Sequence, residues 1–239
     1  MQINGGSLWD PPFICYHIFN MSSKLIFALF IFISPFTFVS AYNPVLNEVS
    51  VPYEVKTIGD LNTQTEHLGE LKGDPHMYEF AVGEATELNI SLLQIDSGTL
   101  VPFSLIVVKQ NEDKGGVSEI GRFLGSKVEW QSVEDSVLGL NFSKSQVFTA
   151  ELKPGIYRAE VSTPENYGKY ALVVGKNSVR EGYFATLADI YAFQKFFSDS
   201  AFYIIKSSYV YYPLGILAVF VAFYYTWRSR NRIKGLKNA

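Results

Sequence analysis

The 239 residues are 48% hydrophobic with a formal net charge of −3. Two strongly apolar stretches near the ends are targeting or membrane material, leaving roughly 130 residues, the size of one domain and too few for two. Residues 42–206 carry 14 Lys/Arg against 22 Asp/Glu, a net of −8; so acidic a region has no basic patch for phosphates and excludes nucleic acid as a partner. The one cysteine, Cys15, excludes a disulfide framework and a Cys-ligated metal site from the exported part.

Residues 1–20, with Trp9, Pro11 and Pro12, fit neither a charged leader nor a domain, and translation is expected to start at Met21; an unusually long leader is the alternative. Residues 21–41 form a secretory signal. Lys24 precedes an apolar run over 25–38, and Val39-Ser40-Ala41 offers cleavage after Ala41. An uncleaved signal anchor stays open, and in either case the following domain faces outward.

Residues 42–66 read as an entry segment in which Pro52 allows at most an edge strand. Alternating or apolar runs follow at 77–82, 86–95 and 103–109, separated by turn-forming clusters. Residues 111–116 are a polar hairpin loop; their acids lack the alternating ligand positions and closing Glu of a calcium loop. Residues 117–137 are less periodic and predict shorter strands with a long connection. The clearest unit is 146–152, the turn Lys153-Pro154-Gly155, a period-two strand over 156–161, and a closing strand over 168–175. The fold class is therefore mainly β: an antiparallel, jelly-roll-like β-sandwich ectodomain over 42–176.

From Ser178 the period changes. Ser178-Val179-Arg180-Glu181 has capping-box spacing, and Tyr183, Phe184, Leu187, Ile190, Tyr191 and Phe197 recur at helical intervals, predicting an amphipathic juxtamembrane helical segment over 178–207 that breaks near Ser198-Asp199-Ser200. Residues 209–227 are nineteen without a charge, enough to span a bilayer at about 1.5 Å per residue. Tyr209, Tyr211 and Tyr212 at one end and Tyr224, Tyr225 and Trp227 at the other mark its interfaces. The tail 228–239 carries Arg228, Arg230, Arg232, Lys234 and Lys237 with no acid, which places it in the cytoplasm and the N-terminal domain outside the cell membrane.

Two segments are similar to a known family. Gly73-Asp74-Pro75-His76-Met77-Tyr78-Glu79-Phe80-Ala81-Val82 is the first. Leu152-Lys153-Pro154-Gly155-Ile156-Tyr157-Arg158-Ala159-Glu160-Val161, with Gly168-Lys169-Tyr170-Ala171-Leu172-Val173-Val174, is the second. Both resemble the bacterial pre-peptidase C-terminal domain over about a quarter of the chain. The resemblance implies a small β-sandwich without a catalytic signature. Such domains are usually appended to secreted enzymes, and some bind polysaccharide, collagen or calcium; here no enzyme precedes the domain and a membrane helix follows it.

The exported region offers His67 and His76 but no His-Glu-x-x-His, Gly-x-Ser-x-Gly or Ser-x-x-Lys context, so no enzyme chemistry and no cofactor is expected. His76, in its Gly-Asp-Pro-His turn, is a candidate ligand surface against the competing reading of a local hydrogen bond, and Asp74 reads as a turn cap. Trp130 is a second ligand-surface candidate, against a place in the core or at its rim. The sequons at Asn89 and Asn141 support no reading. Tyr183, Phe184, Leu187, Tyr191 and Phe197 are candidates for partner or membrane contact, since their helix lies in the headgroup region, packs under the β-domain as a stalk, or docks a partner subunit. The expected function is a membrane-anchored extracytoplasmic binding or scaffold module for a glycan or protein, without catalytic activity. The competing class is an accessory subunit docking another membrane protein.

Overall fold

The computed structural model describes residues 42–49, 51–111, 115–178, 182–198 and 200–237, all within one compact unit, Ser40–Ala239. The expected extension 1–20 and signal 21–41 lie outside the described residues. Twelve strands form two sheets among those described. The first runs β1 (Pro44–Leu46), β3 (Thr65–Lys72), β12 (Tyr167–Val174), β5 (Thr86–Ile95), β9 (Leu140–Lys144), β8 (Gln131–Asp135), with β10 (Phe148–Leu152) also pairing β5. The second runs β2 (Val55–Thr57), β4 (His76–Val82), β11 (Gly155–Ser162), β6 (Ser104–Gln110), β7 (Val117–Phe123). Among the described strands the short edge strands β1 and β2 pair in parallel and the other strand pairings are antiparallel.

The predicted period-two runs face a common core. Tyr78, Phe80 and Val82 of β4, Leu105 and Val107 of β6, and Tyr157, Ala159 and Val161 of β11 meet Leu88, Ile90 and Leu92 of β5 and Tyr170, Leu172 and Val174 of β12. Each large apolar side chain so buried contributes about 1.5–3 kcal/mol. Ser145 stitches the break between β9 and β10, its N–H donating to the Leu92 carbonyl and its hydroxyl accepting from the Leu92 N–H, both at 2.9 Å.

Two sequence expectations change. The entry segment ends in a central strand, β3, which pairs β1 on one side and β12 on the other. It escaped the pattern because its buried positions include Glu66, His67 and Gly69, so apolar alternation is missing. His76 is not in a turn: it opens β4 and points inward, 4% exposed.

The two sheets differ outside. The second is wet, with Glu79 accepting from Arg158 at 2.9 Å and Gln110 at 3.0 Å. The first is covered by helix α1 (Tyr183–Phe197), whose Ile190 and Phe193 pack on Leu68, Ala171, Leu140 and Phe142. The central strands of that sheet are thus buried on both faces, which accounts for the fully buried run Tyr170-Ala171-Leu172. α1 begins after Gly182 without a side-chain cap, so Ser178 does not start it; Val179, Arg180 and Glu181 of the expected capping box lie outside the described residues. A 3₁₀ turn, Ala201–Lys206, leads into helix α2, Ser208–Lys237. Over Ser208–Arg230 α2 is long and apolar enough to cross a membrane.

Candidate functional site

Several distant segments meet at the junction where the sandwich joins α2. It is built on the β8–β9 turn at 136–139, shaped by Asp135: its Oδ1 accepts the N–H groups of Val137 and Leu138 at 2.9 Å each, and Gly139 N–H donates to its carbonyl at 2.7 Å. The other carboxylate oxygen accepts the Tyr42 hydroxyl, which ties in the start of the domain. Burial, with Asp135 beside it, pushes the Tyr42 phenol far above its ordinary range.

The carbonyls of Ser136, Val137 and Leu138 in this turn are then used. Ser207 Oγ donates to Val137 O at 2.5 Å, Ser208 N to Ser136 O at 2.9 Å, and Gln194 Nε2 to Leu138 O at 2.5 Å and Tyr203 O at 3.2 Å. Gly139 is in the left-handed region at φ +62°, and a Cβ there would stand 2.7 Å from the Lys206 carbonyl. Only glycine permits that approach.

α1 reaches α2 at a second point. Pro213, inside α2, has no N–H to give the carbonyl four residues earlier, Tyr209. The Tyr183 hydroxyl donates to that same Tyr209 carbonyl at 2.8 Å, and the two tyrosine rings stack at 5.5 Å. Chemically the junction is a coupling closed by hydrogen bonds from neutral donors, with the Asp135 carboxylate and backbone carbonyls as acceptors.

The candidate residues separate. Of the helix set, Tyr183 meets α2, Phe197 packs in the core under α1 against Phe142 and Phe193, and Leu187 is half-buried. Phe184 and Tyr191 face outward. The residues that fix α1 to the sheet are Thr186, Ile190, Phe193 and Gln194; of these only Ile190 was visible in the helical spacing. Trp130 is half-buried against the core between the sheets.

His76 belongs to a buried polar trio: its Nδ1 is 2.9 Å from the Tyr170 hydroxyl, which is 2.8 Å from the Tyr78 hydroxyl. Gly69 makes room, since a Cβ there would fall 2.7 Å from the Tyr170 oxygen. Burial raises both phenol pKa values and lowers that of His76. Tyr170→Phe strands two buried groups, and is expected to cost about 1–3 kcal/mol of stability, read as a lower denaturation midpoint; an unchanged midpoint would show that the trio is energetically idle.

His67 sits beside Tyr78, its ring centroid 5.7 Å away, with burial pushing its pKa down to about 4. A folded pKa below the unfolded value of about 6.5 means that the unfolded chain binds the extra proton between them. Stability from this group is therefore complete above pH about 6.5 and declines toward pH 4, by on the order of 3 kcal/mol. His76 acts in the same direction, whereas Glu66, raised by burial, opposes it. His67→Gln is expected to flatten the melting profile across that window; a parallel profile would remove His67 as the cause.

An open hollow of about 430 Å³ is lined by Ile95, Leu140, Phe197, Ser198, Ser200 and Tyr203 and holds no titratable group other than the Tyr203 phenol. Among the described residues no three His, Cys, Asp or Glu side chains are placed to hold a metal ion.

No family model and no curated protein matches the chain. Similar solved structures include the pre-peptidase C-terminal domain of collagenase from Bacillus anthracis, 23% identical over 53% of this chain and 98% of that one, with a TM-score of 0.33. This is the domain type that the turn and strand residues resemble. Others are a mitogen from Yersinia pseudotuberculosis (13% identity, 49% and 89% coverage, TM-score 0.32) and a periplasmic inhibitor of g-type lysozyme from Aeromonas hydrophila (14%, 51% and 96%, 0.31). Likenesses at these scores carry no argument about activity, and the β-sandwich rests on its own strand order and core.

Proposed function

We propose that the protein is a membrane-anchored extracytoplasmic binding or scaffold module without catalytic activity, exported by residues 21–41, held by α2 as a single span, and ending in the cytoplasmic tail 228–239. The observation that carries this reading is the linker-free junction: Ser208, the first residue of α2, is already bonded to Ser136 of the sandwich. A domain fixed to its anchor is suited to presenting a surface at the membrane and unsuited to reaching for distant substrates. With α1 covering one sheet, the outer face of the other, around Glu79, Arg158 and Gln110, is the broad sheet surface left for a glycan or protein ligand.

The test is purification of the full chain in mild detergent, followed by binding of the particle to glycan and matrix-protein arrays. A monomer whose binding is lost on Arg158→Glu supports the module. Co-purification of a stoichiometric membrane protein with no array binding would favour the accessory-subunit reading.

A further inference from the structure

Three large apolar side chains stand largely exposed at the junction. Phe184 is 82% exposed, Phe202 79% and Ile205 53%. Their positions follow from local geometry. A 3₁₀ turn repeats every three residues, so Phe202 and Ile205 share one ridge, and the turn's Tyr203 and Ile204 are the residues that pack inward. Ile205 precedes the first residue of α2 by three positions, about 6 Å at 2 Å per residue. Phe184 is fixed to the same level by its neighbour Tyr183, whose ring lies on Tyr209 and whose hydroxyl holds the Tyr209 carbonyl. Lys206 is exposed, with its ammonium 4.2 Å from the centre of the Tyr203 ring.

Exposed phenylalanines near four-fifths of full exposure are costly in water, and this pair is continuous with a helix whose apolar surface is also uncovered from Tyr211 onward. We propose that Phe184, Phe202 and Ile205 form a collar that enters the headgroup and upper acyl layer of the bilayer around the start of α2, so that the sandwich is seated on the membrane at a fixed attitude instead of swivelling on one helix. Lys206 stands at the level of the lipid phosphates, as a cation beside an interfacial aromatic does. The occupant is lipid and not a second protein because the three side chains adjoin the start of α2, whose own apolar surface is uncovered over a length sufficient to cross a bilayer. The bonded junction is what gives the collar its leverage: with a free linker, three immersed side chains would move without the sandwich. This rests on the reading of α2 as a span.

The experiment uses the full chain with Cys15→Ser, reconstituted in nanodiscs of phosphatidylcholine and phosphatidylglycerol. Single nitroxide labels are placed through F184C, F202C, V219C and Y167C, the last an exposed aromatic on the sandwich. Unchanged melting shows that each labelled chain is folded. Collisions with oxygen are expected to exceed those with a water-soluble nickel chelate at 184, 202 and 219, and the order to reverse at 167. Lipid-like behaviour at 219 with water-like behaviour at 184 and 202 would overturn the collar and leave the span standing. Water-like behaviour at 219 as well would overturn the span reading, and the collar with it.

Discussion

A fragment ending at residue 178 is expected to aggregate or to melt without cooperativity, whereas one ending at 207 folds. The boundary at 178 follows the period change in the sequence, but α1 is part of the domain it was read as leaving. Without it, Leu68, Leu138, Leu140, Phe142 and Ala171 lose their cover. Four of these are large, and at about 1.5–3 kcal/mol for each the loss is comparable to the 5–15 kcal/mol by which a domain of this size is typically stable. Phe193→Ala isolates the effect within the longer fragment. Phe193 is fully buried, with ring contacts to Tyr42, Phe142 and Phe197 at 5.4–5.7 Å, and its truncation is expected to cost about 3–5 kcal/mol. Circular dichroism melting and size-exclusion chromatography of the three proteins decide the matter. If the fragment 42–178 is monomeric and melts as sharply as 42–207, α1 is an appendage and not a layer of the fold.

The reason this layer was hard to read is particular to its residues. β4, β5, β11 and β12 announce themselves because each has one face in the core between the sheets, and period-two patterning follows from that. α1 carries aromatic side chains all the way round, at Tyr183, Phe184, Tyr191, Phe193, Phe196 and Phe197, so helical spacing fits several faces and does not choose among them. The spacing selected Phe184 and Tyr191, which face outward, and passed over Phe193 and Gln194, which dock. A usable signal lay in the strands: a sheet covered on one side only has no cause to bury Tyr170, Ala171 and Leu172 consecutively. β3 was hidden by the opposite circumstance, since Glu66 is buried among neutral donors, Gln64 Nε2 at 2.7 Å and Asn43 N at 2.8 Å, where a pattern search expects an apolar residue. The junction left almost no trace because most of its bonds end on backbone carbonyls, Ser136, Val137, Leu138 and Tyr209, whose residue types are immaterial.

Gly139 is the exception, a position where the junction does constrain residue type, and Gly139→Ala is expected to weaken the coupling of sandwich to helix. Two costs add. The left-handed backbone at φ +62° costs an L-residue about 1–2 kcal/mol, and the new methyl would stand 2.7 Å from the backbone of Lys206, which cannot rotate aside as a flexible side chain can. The 3₁₀ turn must retreat, and the bonds from Ser207 to Val137 and from Gln194 to Leu138 and Tyr203 lengthen together. Losing these adds about 1 kcal/mol for each bond. Gly98→Ala is the matched control: Gly98 has φ +81° but nothing within 4 Å of an added Cβ, so it reports the backbone cost alone. The full chain in detergent is expected to lose several degrees more from Gly139→Ala than from Gly98→Ala, and to become open to protease between residues 198 and 207. Equal losses with no new cleavage would show that Lys206 yields freely, that the sandwich is only loosely held to α2, and that rigid presentation at the membrane is not what this fold provides.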